Sequence, residues 1–207
     1  MDAVAPLVEL GRGASPRLHL VRHGETQANR EMLFPGREAR LTGSGVAQAR
    51  KAGQEFAKKG VLLDTILVSP TRRTFDTMKL ALEEMEGCGL VLPAKTRIVI
   101  VAGFLEKDPG EAVGRKIPGG AGEIDSLMRK TNGETYPLFI ERVENAAAKI
   151  IREIESGLLG NNVVVFGHSL VNRVILGVCQ GIGGARGLDG PSQINGGIKT
   201  VGIERSY

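Results

Sequence analysis

The sequence predicts an α/β fold, a three-layer α/β/α sandwich around a mainly parallel central sheet. Short apolar runs alternate with segments of helical periodicity along the 207 residues, a pattern typical of a parallel sheet covered by helices on both faces. Two of the apolar runs end abruptly in a polar loop that contains a histidine, His23 in one and His168 in the other. Because ligands of open α/β sheets bind at the carboxyl ends of strands, we expect these loops to form a functional site.

The length of the chain fits one α/β domain with a substantial core. Residues 1–17 contain two glycines and two prolines before the first apolar run, and we expect them to form a flexible arm. Residues 18–207 are expected to form a single domain.

Five runs have the length and composition of strands. We expect the last of them at an edge of the sheet. The predicted strands are Leu18–Val21, Asp64–Val68, Arg97–Ala102, Val163–Phe166 and Ile198–Glu204.

The predicted helices have recognisable starts and stops. Thr42 caps a segment with apolar residues at helical spacing, and Gly60 ends it. Ser69 and Pro70 predict the N-cap and the first position of a second helix, which runs to about Glu86. Two more helices are expected, one from Pro137 to Gly157 or Gly160 and one over Leu170–Cys179.

Two stretches rich in glycine predict loops. Segment 103–136 is polar and shows little periodicity, and a stretch of this length in one domain is typically a lid or a substrate loop. Segment 181–190 contains five glycines and predicts a mobile loop.

The composition restricts the partners of the protein. Lys and Arg number 27 against 23 Asp and Glu, a net charge of +4, which favours small anionic substrates by attraction. Aromatic residues make up only 4%, which argues against a base-stacking surface for nucleic acid. Cys88 and Cys179 form no CxxC motif and are expected as free thiols of a reducing compartment. Neither a signal peptide nor an apolar run of membrane-spanning length is present, so we expect a cytoplasmic protein without membrane partners and leave a homodimer open.

Arginines accompany the candidate histidines. Arg22 directly precedes His23, and Arg72 and Arg73 stand in the first turn of a predicted helix, where the helix dipole disfavours cations. Such a pair of cations indicates a bound anion. His19 alternates within the first predicted strand and is interpreted as structural.

These residue types favour phosphoryl transfer without a metal ion. Two histidines beside two arginines make a poor metal site, because the guanidinium groups would repel a metal cation, and no HExxH motif is present. The phosphate loop GxxxxGK[ST], the cysteine phosphatase loop and the GxSxG elbow are also absent from the sequence. A neutral imidazole can attack phosphorus while arginines and a protonated second imidazole bind the phosphate oxygens. Glu106, in the loop that follows a predicted strand, is the candidate proton donor.

The order of these motifs resembles the histidine phosphatase superfamily, also called the phosphoglycerate mutase-like family. Five blocks match the family pattern in the family order, between residue 18 and about residue 175. They are Arg22-His23-Gly24-Glu25-Thr26 with Asn29, the block from Ser69 to Thr77, Leu105-Glu106 with Gly110 and Gly114, Gly133-Glu134-Thr135 with Arg142, and Gly167-His168. In the second block the spacing places the family arginine on Arg73 rather than Arg72.

The resemblance implies a role for each site residue. His23 would be the phosphorylated nucleophile, and Glu106 the proton donor that later activates water. Thr26 would either add a hydroxyl contact to the phosphate or cap a helix. The residues implied to hold the phosphate are Arg22, Asn29, Arg73 and His168. Neither a metal ion nor another cofactor is implied.

Three functions stay open. The first is a metal-independent phosphomonoesterase that acts on small phosphorylated metabolites through a phosphohistidine intermediate. The second is a phosphoglycerate mutase that depends on 2,3-bisphosphoglycerate, and the third is a non-catalytic anion-binding protein of the same fold. The resemblance implies a markedly longer insertion in mutases, whereas only 26 residues separate Glu106 from Gly133 here, which favours the phosphatase. A non-catalytic relative would have lost His23, Arg73 or His168, and all three are present.

Two segments depart from the family pattern. Glu38-Ala39-Arg40 replaces an Asp that usually follows the position of Gly36, and Lys107-Asp108-Pro109 brings unusual charge beside Glu106. Four cations of the following segment would either meet a second anionic group of the substrate or be solvated: Arg115, Lys116, Arg129 and Lys130.

Overall fold

Five strands form one central sheet in residues 15–204, the part of the chain that the computed structural model describes. The strands are β1 (Arg17–Arg22), β2 (Thr65–Val68), β3 (Arg97–Ile100), β4 (Asn162–Gly167) and β5 (Ile198–Gly202). Their spatial order is β3-β2-β4-β1-β5, in which β5 pairs antiparallel with β1 and every other pair is parallel. The predicted mainly parallel sheet and the edge position of its last strand are confirmed.

Helices connect these strands. They are α1 (Gln27–Arg30), α2 (Gly43–Lys58), α3 (Arg72–Gly87), α4 (Ala121–Lys130), α5 (Tyr136–Glu155), α6 (Ser169–Cys179) and α7 (Gly184–Gly187). Two short 3-10 turns, Ala102–Phe104 and Gly110–Ala112, follow β3. None of these helices is long and apolar enough to cross a membrane.

The alternation of side chains along β4 produces the three layers. Val163 and Val165 pack in a core cluster with residues of α5 and α6, whereas Val164 and Phe166 pack in a second cluster with residues of α2 and α3. All four side chains are fully buried, and burial of each contributes about 1.5–3 kcal/mol. The predicted three-layer sandwich is therefore confirmed.

The start of α3 differs from the prediction. The helix begins at Arg72 with Thr71 at the N-cap position, so the predicted cap at Ser69 and first position at Pro70 are wrong. The Ser69 hydroxyl lies 2.8 Å from Nε2 of His168 and is therefore engaged outside the helix.

The two predicted loops contain helices. Segment 103–136 holds α4, which was not predicted because its short apolar pattern, Ile124, Leu127 and Met128, lies inside a glycine-rich polar segment. Segment 181–190 holds the single turn α7. A Cβ atom at Gly187 of α7 would lie 2.2 Å from the carbonyl oxygen of Arg173, so this glycine permits close packing of α7 on α6.

Two predicted boundaries, those of the N-terminal arm and of the third strand, differ from the boundaries in the structure. Residues 1–14 of the predicted arm 1–17 lie outside the described residues, and Arg17 is the first residue of β1. The third strand ends at Ile100, because Ala102 opens a 3-10 turn.

Candidate active site

The candidate residues meet at the carboxyl edge of the sheet. β4 pairs with both β1 and β2 in parallel, so the residues that follow these three strands lie side by side. His23 follows β1, Ser69 follows β2 and His168 follows β4. The rings of His23 and His168 have centroids 5.3 Å apart.

His23 is a buried imidazole with one nitrogen engaged. Its side chain is 3% exposed, and Nδ1 lies 2.7 Å from the carbonyl oxygen of Gly24. Because a carbonyl only accepts, Nδ1 carries the proton and Nε2 retains the lone pair. Burial, and next the charge of Arg73, lower the pKa of His23 well below its ordinary value. The imidazole is therefore neutral at neutral pH, as a nucleophile must be.

The loop that carries His23 packs tightly on two helices. A Cβ atom at Gly24 would lie 2.3 Å from the carbonyl oxygen of Gly45 in α2, so no larger residue fits. The Gly24 N–H donates to the Thr77 hydroxyl at 3.0 Å, and the same hydroxyl donates to the carbonyl of Arg73 at 2.6 Å. Thr77 thus fixes the spacing between His23 and Arg73.

Arg73 and Arg22 provide positive charge with free donors. Arg73 is 2% exposed, and its Nη1 donates to the carbonyl of Gly36 at 3.0 Å. Burial lowers the pKa of Arg73 to about 10, and the charge of Glu106 partly opposes this shift, so Arg73 remains a cation at neutral pH. Arg22 donates to the carbonyl of Gln193. Among the described residues the buried Nε atoms of both arginines have no hydrogen-bond partner, as expected of donors that await an anion.

The neighbouring Arg72 is placed elsewhere. Its side chain is 44% exposed, and its Nε lies 3.2 Å from a carboxylate oxygen of Asp76 one turn along α3. The spacing argument that selected Arg73 over Arg72 agrees with this arrangement.

His168 is fully buried and bonded at both ring nitrogens. Nδ1 lies 3.4 Å from Nη2 of Arg73, and Nε2 lies 2.8 Å from the Ser69 hydroxyl. Because a guanidinium only donates, Nδ1 accepts and Nε2 donates to Ser69. Burial first, and then the charge of Arg73, lower the pKa of His168 well below its ordinary value. The free site therefore holds a neutral imidazole, in contrast to the protonated one expected, and a bound dianion would favour the charged form.

Removal of the Ser69 hydroxyl is expected to impair catalysis through His168. Ser69→Ala leaves Nε2 of His168 without its acceptor, so we expect kcat to fall on the order of tenfold, equivalent to the loss of one buried hydrogen bond. In NMR the signal of the Nε2 proton is expected to shift, because its acceptor is lost while Arg73 still donates to Nδ1. Thr65→Ala is the matched control, since it removes a buried hydroxyl at the opposite end of β2. Equal kcat values for Ser69→Ala and Thr65→Ala would contradict this role of Ser69.

Glu106 lines a pocket together with Arg73. Its Oε2 is 3.9 Å from Nδ1 of His168, its Oε1 accepts from the backbone N–H of Lys107 at 3.1 Å, and 22% of the side chain is exposed. Burial raises the pKa of Glu106, and the charge of Arg73 opposes the shift. The carboxyl group therefore keeps its proton to a higher pH than an exposed glutamate, which suits a proton donor.

Asn29 and Thr26 form a capping box at α1. The Thr26 backbone N–H donates to Oδ1 of Asn29 at 3.0 Å, and the Thr26 hydroxyl accepts from the Asn29 backbone N–H at 3.3 Å. Of the two roles for Thr26, the structure places its fully buried side chain in the cap. Because Oδ1 of Asn29 is engaged, its Nδ2 is the atom left to donate to an anion. The phosphate contacts of both residues remain predictions.

Two residues of the segment before β5 support the site and were not singled out from the sequence. Asn195 donates from Nδ2 to the carbonyl of His23 at 3.1 Å. Gln193 accepts from Arg22 with its carbonyl and donates from Nε2 to the carbonyl of Leu20 at 2.8 Å. No motif marks this segment, so only its contacts in the fold reveal the role.

Arg142 of α5 holds the loop that carries Glu106. Its guanidinium donates to both carboxylate oxygens of Glu134 at 2.8 and 2.7 Å. It also donates to the carbonyls of Gly103 and Leu105 at 2.9 and 3.1 Å. This arrangement gives a structural role to the sequence block of Glu134 and Arg142.

A pocket of about 420 Å³ opens beside Arg73 and Glu106. The charged residues of its wall, besides those two, are Arg37, Lys107, Asp108, Glu134 and Arg142. None of the four cations expected from the sequence to meet a second anionic group belongs to the described lining: Arg115, Lys116, Arg129 and Lys130. Because the pocket adjoins the candidate proton donor, it is where the leaving group of a substrate would lie.

The chain matches the histidine phosphatase superfamily, branch 1, over residues 18–205, and it belongs to that superfamily. A putative alpha-ribazole-5'-P phosphatase from Escherichia coli has a similar crystal structure, with a TM-score of 0.72, 25% sequence identity and 92% of both chains covered. The fold predicted for this family is thereby confirmed.

Curated relatives carry two kinds of name. A 2,3-bisphosphoglycerate-dependent phosphoglycerate mutase from Azorhizobium caulinodans is 38% identical over 98 residues, which are 47% of this chain and 45% of the relative. A putative phosphoserine phosphatase 2 from Hydrogenobacter thermophilus is 42% identical over 82 residues, 39% of each chain. The matched part of the chain thus spans less than half the length of these two relatives.

Proposed function

We propose that the protein is a phosphoric monoester hydrolase that acts on small phosphorylated metabolites through a phosphohistidine at His23. The observation that carries this proposal is the hydrogen bond from Nδ1 of His23 to the Gly24 carbonyl. It leaves the Nε2 lone pair as the nucleophile in a buried site with two arginines. Membership of the histidine phosphatase superfamily supports the same reaction class.

The first step transfers the phosphoryl group to the enzyme. Nε2 of His23 attacks phosphorus in line with the ester oxygen, an N–P bond forms and the ester P–O bond breaks. Arg22, Arg73 and His168 bind the phosphate oxygens and stabilise the charge that develops on them. Glu106 gives its proton to the leaving oxygen, which departs as a neutral alcohol.

The second step regenerates the free histidine. Glu106, now a carboxylate, takes a proton from a water molecule as the water oxygen attacks phosphorus. The N–P bond breaks, inorganic phosphate leaves, and Glu106 is again protonated. No metal ion takes part, since the arginines supply the positive charge.

Phosphoglycerate mutase activity is the second candidate, because a relative of that name matches 47% of the chain. In a mutase a hydroxyl of the substrate, rather than water, accepts the phosphoryl group. The short stretch of 26 residues between Glu106 and Gly133 supports the phosphatase, since the family resemblance implies a longer insertion in mutases.

A phosphate-release assay in the presence of EDTA separates the two candidates. We expect release from p-nitrophenyl phosphate and from members of a panel of phosphorylated metabolites. Absence of release, together with isomerisation of phosphoglycerate when 2,3-bisphosphoglycerate is added, would instead establish the mutase. Anion binding without either activity would identify a non-catalytic protein.

A further inference from the structure

Lys107 is a buried cation to which the proposed reaction gives no role. It directly follows Glu106 in the chain, and its side chain is only 5% exposed. Because lysine is almost never buried to this extent without a partner, the groups that surround its ammonium show what it does.

The ammonium group of Lys107 lies at the junction of α4 and α5. Its Nζ is 3.9 Å from Oδ1 of Asp125 in α4 and 4.8 Å from the ring centroid of Tyr136, the first residue of α5. The same Oδ1 accepts from the Tyr136 backbone N–H at 2.8 Å. Nζ has no hydrogen-bond partner among the described residues, so the carboxylate and the face of the ring hold it by charge. Burial lowers the pKa of Lys107, and the charges of Asp125, Glu134 and Glu106 oppose this shift.

The backbone of Lys107 contacts the candidate proton donor. Its N–H donates to Oε1 of Glu106 at 3.1 Å. Burial raises the pKa of Glu106, and the charge of Arg73 and then this N–H are the two largest causes that oppose the rise. The other charged and titratable groups that face the carboxyl group are Arg22, Arg142 and His168.

Other residues hold the chain on both sides of the proton donor. The Leu105 carbonyl accepts from Arg142 at 3.1 Å, and the Asp108 carbonyl accepts from the Glu134 backbone N–H at 2.8 Å. Between these two points, Lys107 is the residue whose side chain is buried against the helices. Its side chain therefore restricts the orientation of its own backbone N–H.

We propose that Lys107 is a positioning residue for Glu106: its ammonium, held by Asp125 and Tyr136, fixes the backbone N–H that binds Oε1 of Glu106. The junction of α4 and α5 is thereby tied to the proton donor. This proposal rests on the proposed function for the catalytic role of Glu106, whereas the contacts themselves need no substrate.

Carbon-13 NMR of protein labelled in its glutamate carboxyl groups tests this proposal without turnover. The signal of Glu106 is identified by its absence in Glu106→Gln. A hydrogen bond to a carboxylate favours the charged form, so its loss in Lys107→Met should raise the pKa of Glu106 on the order of one pH unit. The alkaline limb of kcat for glycerol 3-phosphate, which requires protonated Glu106, should move upward with it.

Asp125→Asn separates anchoring from a direct effect of charge. The new amide oxygen can still accept from the Tyr136 N–H, so this variant removes the charge that holds Lys107. We expect the pKa of Glu106 to rise here too, whereas loss of a negative charge that acted directly on Glu106 would lower it. The matched control is Lys116→Met, since Lys116 is an exposed lysine of the same segment that bonds to the carbonyl of Glu31, and it should leave the pKa of Glu106 unchanged.

The outcomes separate this proposal from the proposed function. An unchanged pKa of Glu106 in Lys107→Met, or an unchanged or lowered one in Asp125→Asn, would overturn the positioning role. If Lys107→Met does not fold, the direction of the change in Asp125→Asn decides alone. Absence of phosphate release by the wild-type enzyme would overturn the hydrolase function and leave the NMR result standing.

Discussion

Replacing His23 by alanine is expected to reduce phosphate release by at least about 10⁴-fold, the scale on which removal of a nucleophile acts in hydrolases. The reason is that Nε2 of His23 is the atom that forms the bond to phosphorus, and no other described side chain offers a lone pair at that place. His168 has both ring nitrogens engaged, by Arg73 and Ser69. The measurement is kcat for p-nitrophenyl phosphate.

The matched control for this variant is His19→Asn. His19 is a buried histidine of β1, the strand that His23 follows; it is 4% exposed, and its Nδ1 bonds to the Thr200 hydroxyl at 2.9 Å. We expect His19→Asn to lower the melting temperature without a comparable loss of kcat. Full activity in folded His23→Ala would contradict the covalent mechanism.

Replacing Glu106 by glutamine is expected to affect two kinds of substrate differently. An alkyl phosphate such as glycerol 3-phosphate needs a proton on its leaving oxygen, so its kcat should fall about 10²–10⁴-fold. p-Nitrophenolate leaves without a proton, so phosphorylation of His23 should survive with p-nitrophenyl phosphate. Because Glu106 also activates the water, the phosphohistidine should then accumulate, and stopped-flow absorbance should record a burst of one p-nitrophenol per site.

Glu111→Gln serves as the control for the loss of a carboxylate in the same loop. Glu111 is exposed, bonds to the Asn132 amide at 3.0 Å and lies outside the pocket wall. Equal losses for both esters in Glu106→Gln, without a burst, would be incompatible with Glu106 as the proton donor.

The residues brought together by strand ends could be predicted from the sequence. Parallel strands present their carboxyl ends at one edge, so His23 and His168 could be placed at the same edge of the sheet. That they are neighbours follows from the pairing of β1 with β4 in the structure. The helix-dipole argument pointed to Arg72 and Arg73 together, and the spacing of the family block selected Arg73. Local rules thus located the candidate residues, and the family resemblance was needed to choose between neighbours.

The supporting residues could not be predicted, because their partners are distant in the chain. The pair Ser69-Pro70 has the pattern of a helix start, yet the Ser69 hydroxyl bonds to a histidine 99 residues away. Gln193 and Asn195 stabilise β1 and His23 from a segment without a recognisable motif. The helix α4 was missed because its ten residues, with apolar side chains at Ile124, Leu127 and Met128, form a short periodic run inside a glycine-rich polar segment.

The phosphohistidine itself is the most direct test of the central claim. Wild-type protein and the Glu106→Gln variant are mixed with p-nitrophenyl phosphate, quenched in alkali, in which a phosphohistidine survives, digested and examined by mass spectrometry. We expect one phosphate on the peptide that contains His23, at higher occupancy in the variant. Rapid turnover with no phosphate on His23, or with phosphate on another residue, would contradict the account.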